Sequence, residues 1–150
     1  MKAFRIEMIT LMAAFAMVAM SPVWGSTNGN PPPPPQLVAN LLDPLGHPAG
    51  QAGYGQQTDK SGKITASFLN VQVGPLNKSL VGSKVNINVD KGPPLPVTVV
   101  LDKSGNNGCA NLSLNSANKD TVPPVRPGSL LTVSPPGHPP IAQGKFAPPK

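Results

Sequence analysis

Five aspartates are the carboxylates that could perform acid–base chemistry in the chain after residue 25. A glycosidase-like reaction needs two carboxyl groups held at a fixed separation across the bond to be broken. No pair stands out, because all of them except Asp43 lie in or beside predicted turns, and no strand-turn-helix segment that would present a nucleophile is apparent. We therefore predict no catalytic residues and no enzymatic activity. The five are Asp43, Asp59, Asp90, Asp102 and Asp120.

The two histidines and the single thiol are the residues that could bind a transition metal. His47 and His138 each follow a glycine and precede a proline, and neither has further ligands close by in the sequence. A structural zinc site needs four ligands in a fixed geometry, and Cys109 has no second cysteine at metal-binding spacing. We predict no metal site and no cofactor.

The basic residues could bind an anionic partner. The chain has 12 Lys and Arg against 6 Asp and Glu, which gives a net charge of +6 at pH 7. The lysines after residue 25 are spaced singly and few aromatic residues accompany them, which argues against nucleic acid as the partner. Attraction to an anionic glycan or envelope surface fits such spacing better. We expect polyanion contacts from the loops around Lys78, Lys84, Lys91 and Arg126.

Residues 1 to 25 have the order of a secretory signal peptide. Lys2 and Arg5 precede an apolar run from Met8 to Met20, and the small residue Gly25 ends the segment. Thirteen helical residues span about 20 Å, which is less than the roughly 30 Å of a bilayer core. We predict cleavage after Gly25, a secreted or periplasmic product, and no membrane span after cleavage.

Cys109 is the only cysteine of the chain. In an exported protein it has no internal partner, so its expected chemistry is an intermolecular disulfide or a reactive thiol. The strand alternation around it places Cys109 opposite in phase to Ala110 and Leu112, which predicts partial exposure.

Residues 26 to 62 are rich in proline and glycine. They include the run Pro31 to Pro35, which predicts a polyproline II rod about 15 Å long, most simply a spacer or otherwise a ligand for a proline-binding partner. Gly50 to Gln57 contains little that could form a core. We predict that the segment is a disordered leader or linker, in which the short apolar patch within Gln36 to Leu45 either forms one helical turn or docks on the domain.

From residue 63 the pattern changes to short β-prone runs separated by Gly, Pro and Asn. Val85, Ile87 and Val89 alternate with asparagines, which is typical of a half-buried strand. The apolar residues of the first run change parity at Phe68, which predicts a bulge or bend near this residue and a strand with two apolar faces. The turn-rich segment between the third and fourth runs predicts a hairpin. The predicted strands are 64–73, 85–89, 97–101, 109–114, 130–133 and 141–146.

Six short strands without an amphipathic helix predict an all-β domain over residues 63 to 147, followed by a tail at 148 to 150. The architecture predicted is a small antiparallel sandwich of immunoglobulin-like type or a partly open barrel. The function predicted is that of an exported non-enzymatic interaction module of the surface, envelope or matrix, with a protein or glycan partner. The alternative is a small-ligand or polyanion (glycan) binding protein of the periplasm or exterior.

Overall fold

A computed structural model describes residues 34–150. The predicted signal peptide and residues 26 to 33 lie outside the described residues. The described chain is all-β, which confirms the predicted fold class, and it forms one antiparallel sheet that is nearly closed into a barrel. The nine strands are β1 (Leu37–Leu42), β2 (Pro48–Thr58), β3 (Ile64–Leu76), β4 (Lys84–Val89), β5 (Leu95–Thr98), β6 (Val100–Leu101), β7 (Gly108–Asn115), β8 (Leu130–Ser134) and β9 (Ala142–Lys145).

The strand order brings the two ends of the sheet together. The order is β5-β4-β8-β9-β1-β2-β3-β7-β6, and its first and last strands are separated in the chain by Val99 alone. One extended segment therefore pairs with β4 through its first half and with β7 through its second half. This arrangement nearly closes the barrel.

The core lies inside the barrel and consists of alternate side chains of the strands. In β1, Leu37, Ala39 and Leu41 are buried while Asn40 and Leu42 are exposed. The same alternation runs through β4, where Val85, Ile87 and Val89 face the core as predicted. Burial of these apolar side chains is the main source of stability for a domain of this size.

Residues 37–58 belong to the fold, so the prediction that they form part of a disordered leader is wrong. Glycines give β2 low intrinsic β-propensity, but β2 pairs with β1 on one edge and with β3 on the other. Its inner face buries Ala49, Ala52 and Tyr54. Pairing on both edges and this burial overcome the unfavourable composition, and the first strand of the folded domain starts at Leu37 and not after position 63.

β3 has buried side chains on both faces, as the change of parity predicted. Leu69 is fully buried in the core, and the adjacent Phe68, on the opposite face, is 3% exposed. The irregularities in strand register lie near the two ends of β3, opposite Thr58 and between Val73 and Leu76, and not at Phe68. β3 therefore has buried side chains on both faces of the sheet, without the bulge or bend that was predicted near Phe68.

Leu41 and Leu42 are adjacent in β1 and point to opposite faces of the sheet, so replacing each of them tests which face forms the core. Leu41 is 0% exposed and Leu42 is 43% exposed. We expect Leu41→Ala to lower the free energy of unfolding by about 2–5 kcal/mol, because it leaves a cavity in a closed core. The matched variant Leu42→Ala should cost less than about 1 kcal/mol. Urea denaturation measures both, and equal losses would contradict the register of β1.

Candidate functional site

Three aspartates hold the tight turns of three hairpins. Each stands three residues before a glycine with a positive φ: 85° at Gly46, 82° at Gly62 and 70° at Gly105. In each turn the glycine N–H donates a hydrogen bond to the backbone carbonyl of the aspartate. Glycine is required because other residues rarely adopt this conformation. The pattern Asp-X-X-Gly was visible in the sequence, as Asp-Pro-Leu-Gly once and Asp-Lys-Ser-Gly twice.

The carboxylates of these turns accept hydrogen bonds from the loop that each one begins. Asp43 Oδ1 accepts from the backbone N–H groups of Leu45 at 2.9 Å and His47 at 2.8 Å. The His47 N–H is the main reason why the pKa of Asp43 is lowered. Asp43 is therefore engaged in holding the β1–β2 loop.

The two Asp-Lys-Ser-Gly turns use the serine in the same way. The Ser61 hydroxyl donates to Asp59 at 2.6 Å, and the Ser104 hydroxyl donates to Asp102 at 2.6 Å. Because a serine hydroxyl stabilises the charged carboxylate in each turn, the pKa of Asp59 and the pKa of Asp102 are both lowered. These carboxylates too serve the fold.

The remaining two aspartates join separate segments. Asp90 accepts from the backbone N–H of Leu130 at 2.8 Å and from the buried hydroxyl of Ser129 at 2.9 Å. Asp120 accepts from the backbone N–H of Asn115 at 2.9 Å. All five carboxylates of the described residues thus stabilise turns or connections between segments.

The antiparallel strands sort the connecting loops to the two ends of the barrel. β3 begins and β7 finishes at one end, and the pairings of β4 with β5 and β8 extend the same sorting around the sheet. One end carries the loops 59–63, 90–94 and 116–129 and the C-terminal residues of β9. The other end carries the loops 43–47, 77–83, 102–107 and 135–141.

The first of these ends is strongly basic, and we call it the basic end. Its six cationic side chains are all exposed, and its three aspartates are those held in the hydrogen bonds described above. The opposite end has three lysines and two aspartates. Among residues 34–150 the only ion pair joins His47 Nδ1 to Asp43 Oδ2, at 3.1 Å, so none of these cations is paired with a carboxylate. The cations of the basic end are Lys60, Lys63, Lys91, Lys119, Arg126 and Lys145.

The four predicted polyanion contacts do not lie in one patch. Lys91 and Arg126 belong to the basic end, whereas Lys78 and Lys84 lie at the opposite end. β4 separates the two pairs by roughly 17 Å, at about 3.3 Å per residue. The other four cations of the basic end were missed because strand order, which sorts the loops, is not readable from the spacing of lysines.

The opposite end is apolar, and we call it the apolar end. Four of the five large apolar side chains that are exposed among the described residues lie there: Leu42, Leu45, Val100 and Leu101. An open groove of about 430 Å³ at the same end is lined by Leu80, Pro135, His138, Pro139, Pro140 and Ile141.

Both histidines lie at the apolar end, on separate loops. His47 contacts Asp43, and His138 lines the open groove. Within residues 34–150 no three His, Cys, Asp or Glu side chains form a group suited to a metal ion.

Cys109 lies near the apolar end and is half-buried, opposite Val100 in the register of β6 and β7. Ala110, next to it, is fully buried, which agrees with the predicted phase of the strand. The role of Cys109 as an intermolecular thiol stays a prediction.

Comparison of the chain with protein-family models, with curated proteins and with solved structures finds no match. Along residues 34–150 there is no helix with the length and apolar character needed to cross a membrane.

The hairpin aspartates predict how stability depends on pH. Because the folded-state pKa of Asp43, Asp59 and Asp102 is lowered, their stabilisation is complete above the unfolded-state pKa of about 3.9 and is lost as the pH falls through the folded-state pKa. We expect the free energy of unfolding to fall as the pH is lowered below about 4. The triple variant D43N/D59N/D102N should show a shallower fall in urea denaturation across this range. Identical pH profiles for the two proteins would contradict the role of these turns.

Proposed function

We propose that the protein is an exported, non-enzymatic interaction module that attaches to an anionic polymer of the envelope or matrix through its basic end. The observation that carries the proposal is the set of six exposed cations at this end, none of which is paired with a carboxylate of residues 34–150. The three aspartates at this end, Asp59, Asp90 and Asp120, accept hydrogen bonds from backbone and hydroxyl groups. Exported status is part of the proposal and rests on the N-terminal sequence.

The distribution of the cations favours a polymer over a small anion. A small ligand requires polar groups that converge on a concave pocket. The basic residues here are carried by three separate loops and one strand end, so they form a broad charged surface. Such a surface raises the local concentration of a polyanion and binds it in a salt-dependent way.

The aromatic residues favour a glycan over nucleic acid. Single-stranded nucleic acids are bound by stacking of bases on exposed aromatic rings. The three aromatic side chains of the described residues, Tyr54, Phe68 and Phe146, are all at most 5% exposed. The contact we propose is therefore electrostatic, with an acidic glycan as the polymer.

The engaged carboxylates also support a function by contact. A general acid or base must be free to exchange a proton with a substrate. Each of the five aspartates instead stabilises a turn or joins two segments of the chain. We propose that the protein performs no catalysis.

Two charge-matched triple variants test the proposal. The first, K60Q/K63Q/K91Q, removes three cations from the basic end, and the second, K78Q/K84Q/K103Q, removes three from the apolar end. Both lose the same net charge and keep the aspartates. Binding to dextran sulfate is measured by titration calorimetry over a range of salt concentrations.

We expect the first variant to lose most of its affinity, with a salt dependence smaller by roughly two to three released counterions. The second variant should bind almost as the wild type does. Equal losses in both variants would mean that net charge alone governs binding. Unchanged binding in the first variant would also refute the basic end as the interface.

A further inference from the structure

Among the exposed large apolar side chains of residues 34–150, Leu45 is the most exposed, at 80%. It lies at the tip of the loop between β1 and β2, directly after the exposed Pro44. Leu42, Val100 and Leu101 belong to the same end of the barrel and are 43%, 49% and 48% exposed. A single exposed leucine is common on protein surfaces, whereas several exposed apolar side chains at one end are typical of an interaction surface.

The loop 59–63 forms the same turn as the loop 43–47 without an apolar tip. In both loops a carboxylate oxygen of the first residue accepts from the N–H groups two and four residues later. In both, the N–H of the first residue donates to the carbonyl of the fifth at 2.9 Å. The third residue is Leu45 in one loop and Ser61 in the other. Because serine suits the same turn, the fold does not require a leucine here, and the exposure of Leu45 points to a partner.

Every backbone N–H of the loop 43–47 donates a hydrogen bond within the loop. Two of these groups donate to backbone carbonyls and two donate to the Asp43 carboxylate, all at 2.8 to 2.9 Å. Pro44 has no N–H. In an apolar medium an unpaired backbone group is costly, because no water is there to pair with it. The tip of this loop therefore enters such a medium without leaving a backbone donor unpaired.

The loop 135–141 of the apolar end also has few free backbone donors. Four of its seven residues are prolines. The His138 N–H donates to the Pro135 carbonyl at 3.0 Å, and the Ile141 N–H donates to the Val133 carbonyl at 2.8 Å. Three of the prolines also line the open groove. A second loop of this end thus presents an apolar surface.

Lysines accompany these apolar side chains. Lys78, Lys84 and Lys103 are exposed at the apolar end, and none of them is paired with a carboxylate of residues 34–150. The aspartates of this end, Asp43 and Asp102, hold their own turns. Binding to a lipid surface is strengthened by buried apolar area and by the attraction of lysines to anionic headgroups. An anionic bilayer therefore complements both the charge and the apolar character of this end.

A bilayer suits the shape of the apolar end better than a protein partner does. The apolar side chains stand on separate parts of the barrel, namely the loop 43–47, the loop 135–141 and strand β6. A protein partner must match such a surface with closely complementary packing. The interface of a bilayer is fluid and admits each apolar tip independently.

We propose that the apolar end docks on an anionic lipid bilayer, with Leu45 inserted among the acyl chains and the lysines of this end on the headgroups. The contact is peripheral and is separate from the glycan contact proposed for the basic end. Because the two ends are opposite, a barrel that stands on a bilayer through its apolar end directs its basic end away from the lipid.

Sedimentation with lipid vesicles tests the role of Leu45. The protein is the chain from Ser26 to Lys150, because the apolar run Met8 to Met20 would itself bind lipid. The vesicles contain phosphatidylcholine and phosphatidylglycerol in equal parts. Since the cations of the basic end also attract anionic lipid, each variant is built on K60Q/K63Q/K91Q.

Leu45→Ser should lower the partition coefficient roughly ten- to a hundredfold, the factor expected when the burial of a leucine side chain is lost. The serine should leave the turn intact, as Ser61 does in the loop 59–63. The matched control is Ile64→Ser, which removes a side chain that is 50% exposed at the basic end and should leave partition unchanged. Equal losses in the two variants would overturn the proposal. Absence of vesicle binding before Leu45 is replaced would also overturn it and would favour a protein partner.

The lysines of the apolar end are tested on the same background. K78Q/K84Q/K103Q should weaken binding to the mixed vesicles several-fold and should leave binding to pure phosphatidylcholine unchanged. Unchanged binding to the mixed vesicles would refute the role of these lysines. Leu45→Ser should not alter binding of the otherwise unchanged protein to dextran sulfate, so the lipid and glycan proposals can fail separately.

A spin label on the acyl chains locates the inserted side chain. In bicelles of the same two lipids, the methyl signals of Leu45 should broaden most, and those of Ile64 should remain sharp. Broadening that is strongest at Ile64, or equal at both residues, would contradict docking through the apolar end.

Discussion

The near closure of the barrel depends on how Val99 is packed and hydrogen-bonded. Val99 is the single residue between β5 and β6, which are the first and last strands of the sheet. Its N–H donates to the Ser83 carbonyl at 2.9 Å, its carbonyl accepts from Gly82 N–H at 2.8 Å, and its side chain is 1% exposed. A Cβ on Gly108 would lie 2.7 Å from Val99 Cγ1, so glycine is needed at that position. Because of this close contact, one extended segment pairs with β4 through β5 and with β7 through β6, which nearly closes the barrel.

Near closure gives the molecule two chemically different ends. Because the strands are antiparallel, every connecting loop lies at one end of the barrel or at the other. Residues that are far apart in the sequence, such as Lys60 and Arg126, therefore lie on the same surface. The aspartates of the same loops are engaged in hydrogen bonds that hold the loops in place. Six exposed cations lie at the basic end, and among the described residues none of them is paired with a carboxylate.

The sequence predicted the parts of the fold that depend on local pattern. The alternation of Val85, Ile87 and Val89 and the phase of Cys109 were readable because side chains alternate along a strand. β2 was not readable, since its glycines disfavour a strand and its stability comes from β1 and β3 on either side. The basic end was only partly found, through Lys91 and Arg126, because grouping the other cations requires the strand order.

The most direct test of the basic end as the binding surface is a titration of the ¹⁵N-labelled protein with dextran sulfate, followed residue by residue through amide chemical shifts. The account predicts shifts in residues 59–63, 90–94 and 119–129 and at Lys145, which reverse when salt is added. Shifts centred on the apolar-end loops 43–47, 77–83 and 102–107, or spread evenly over the barrel, would contradict it.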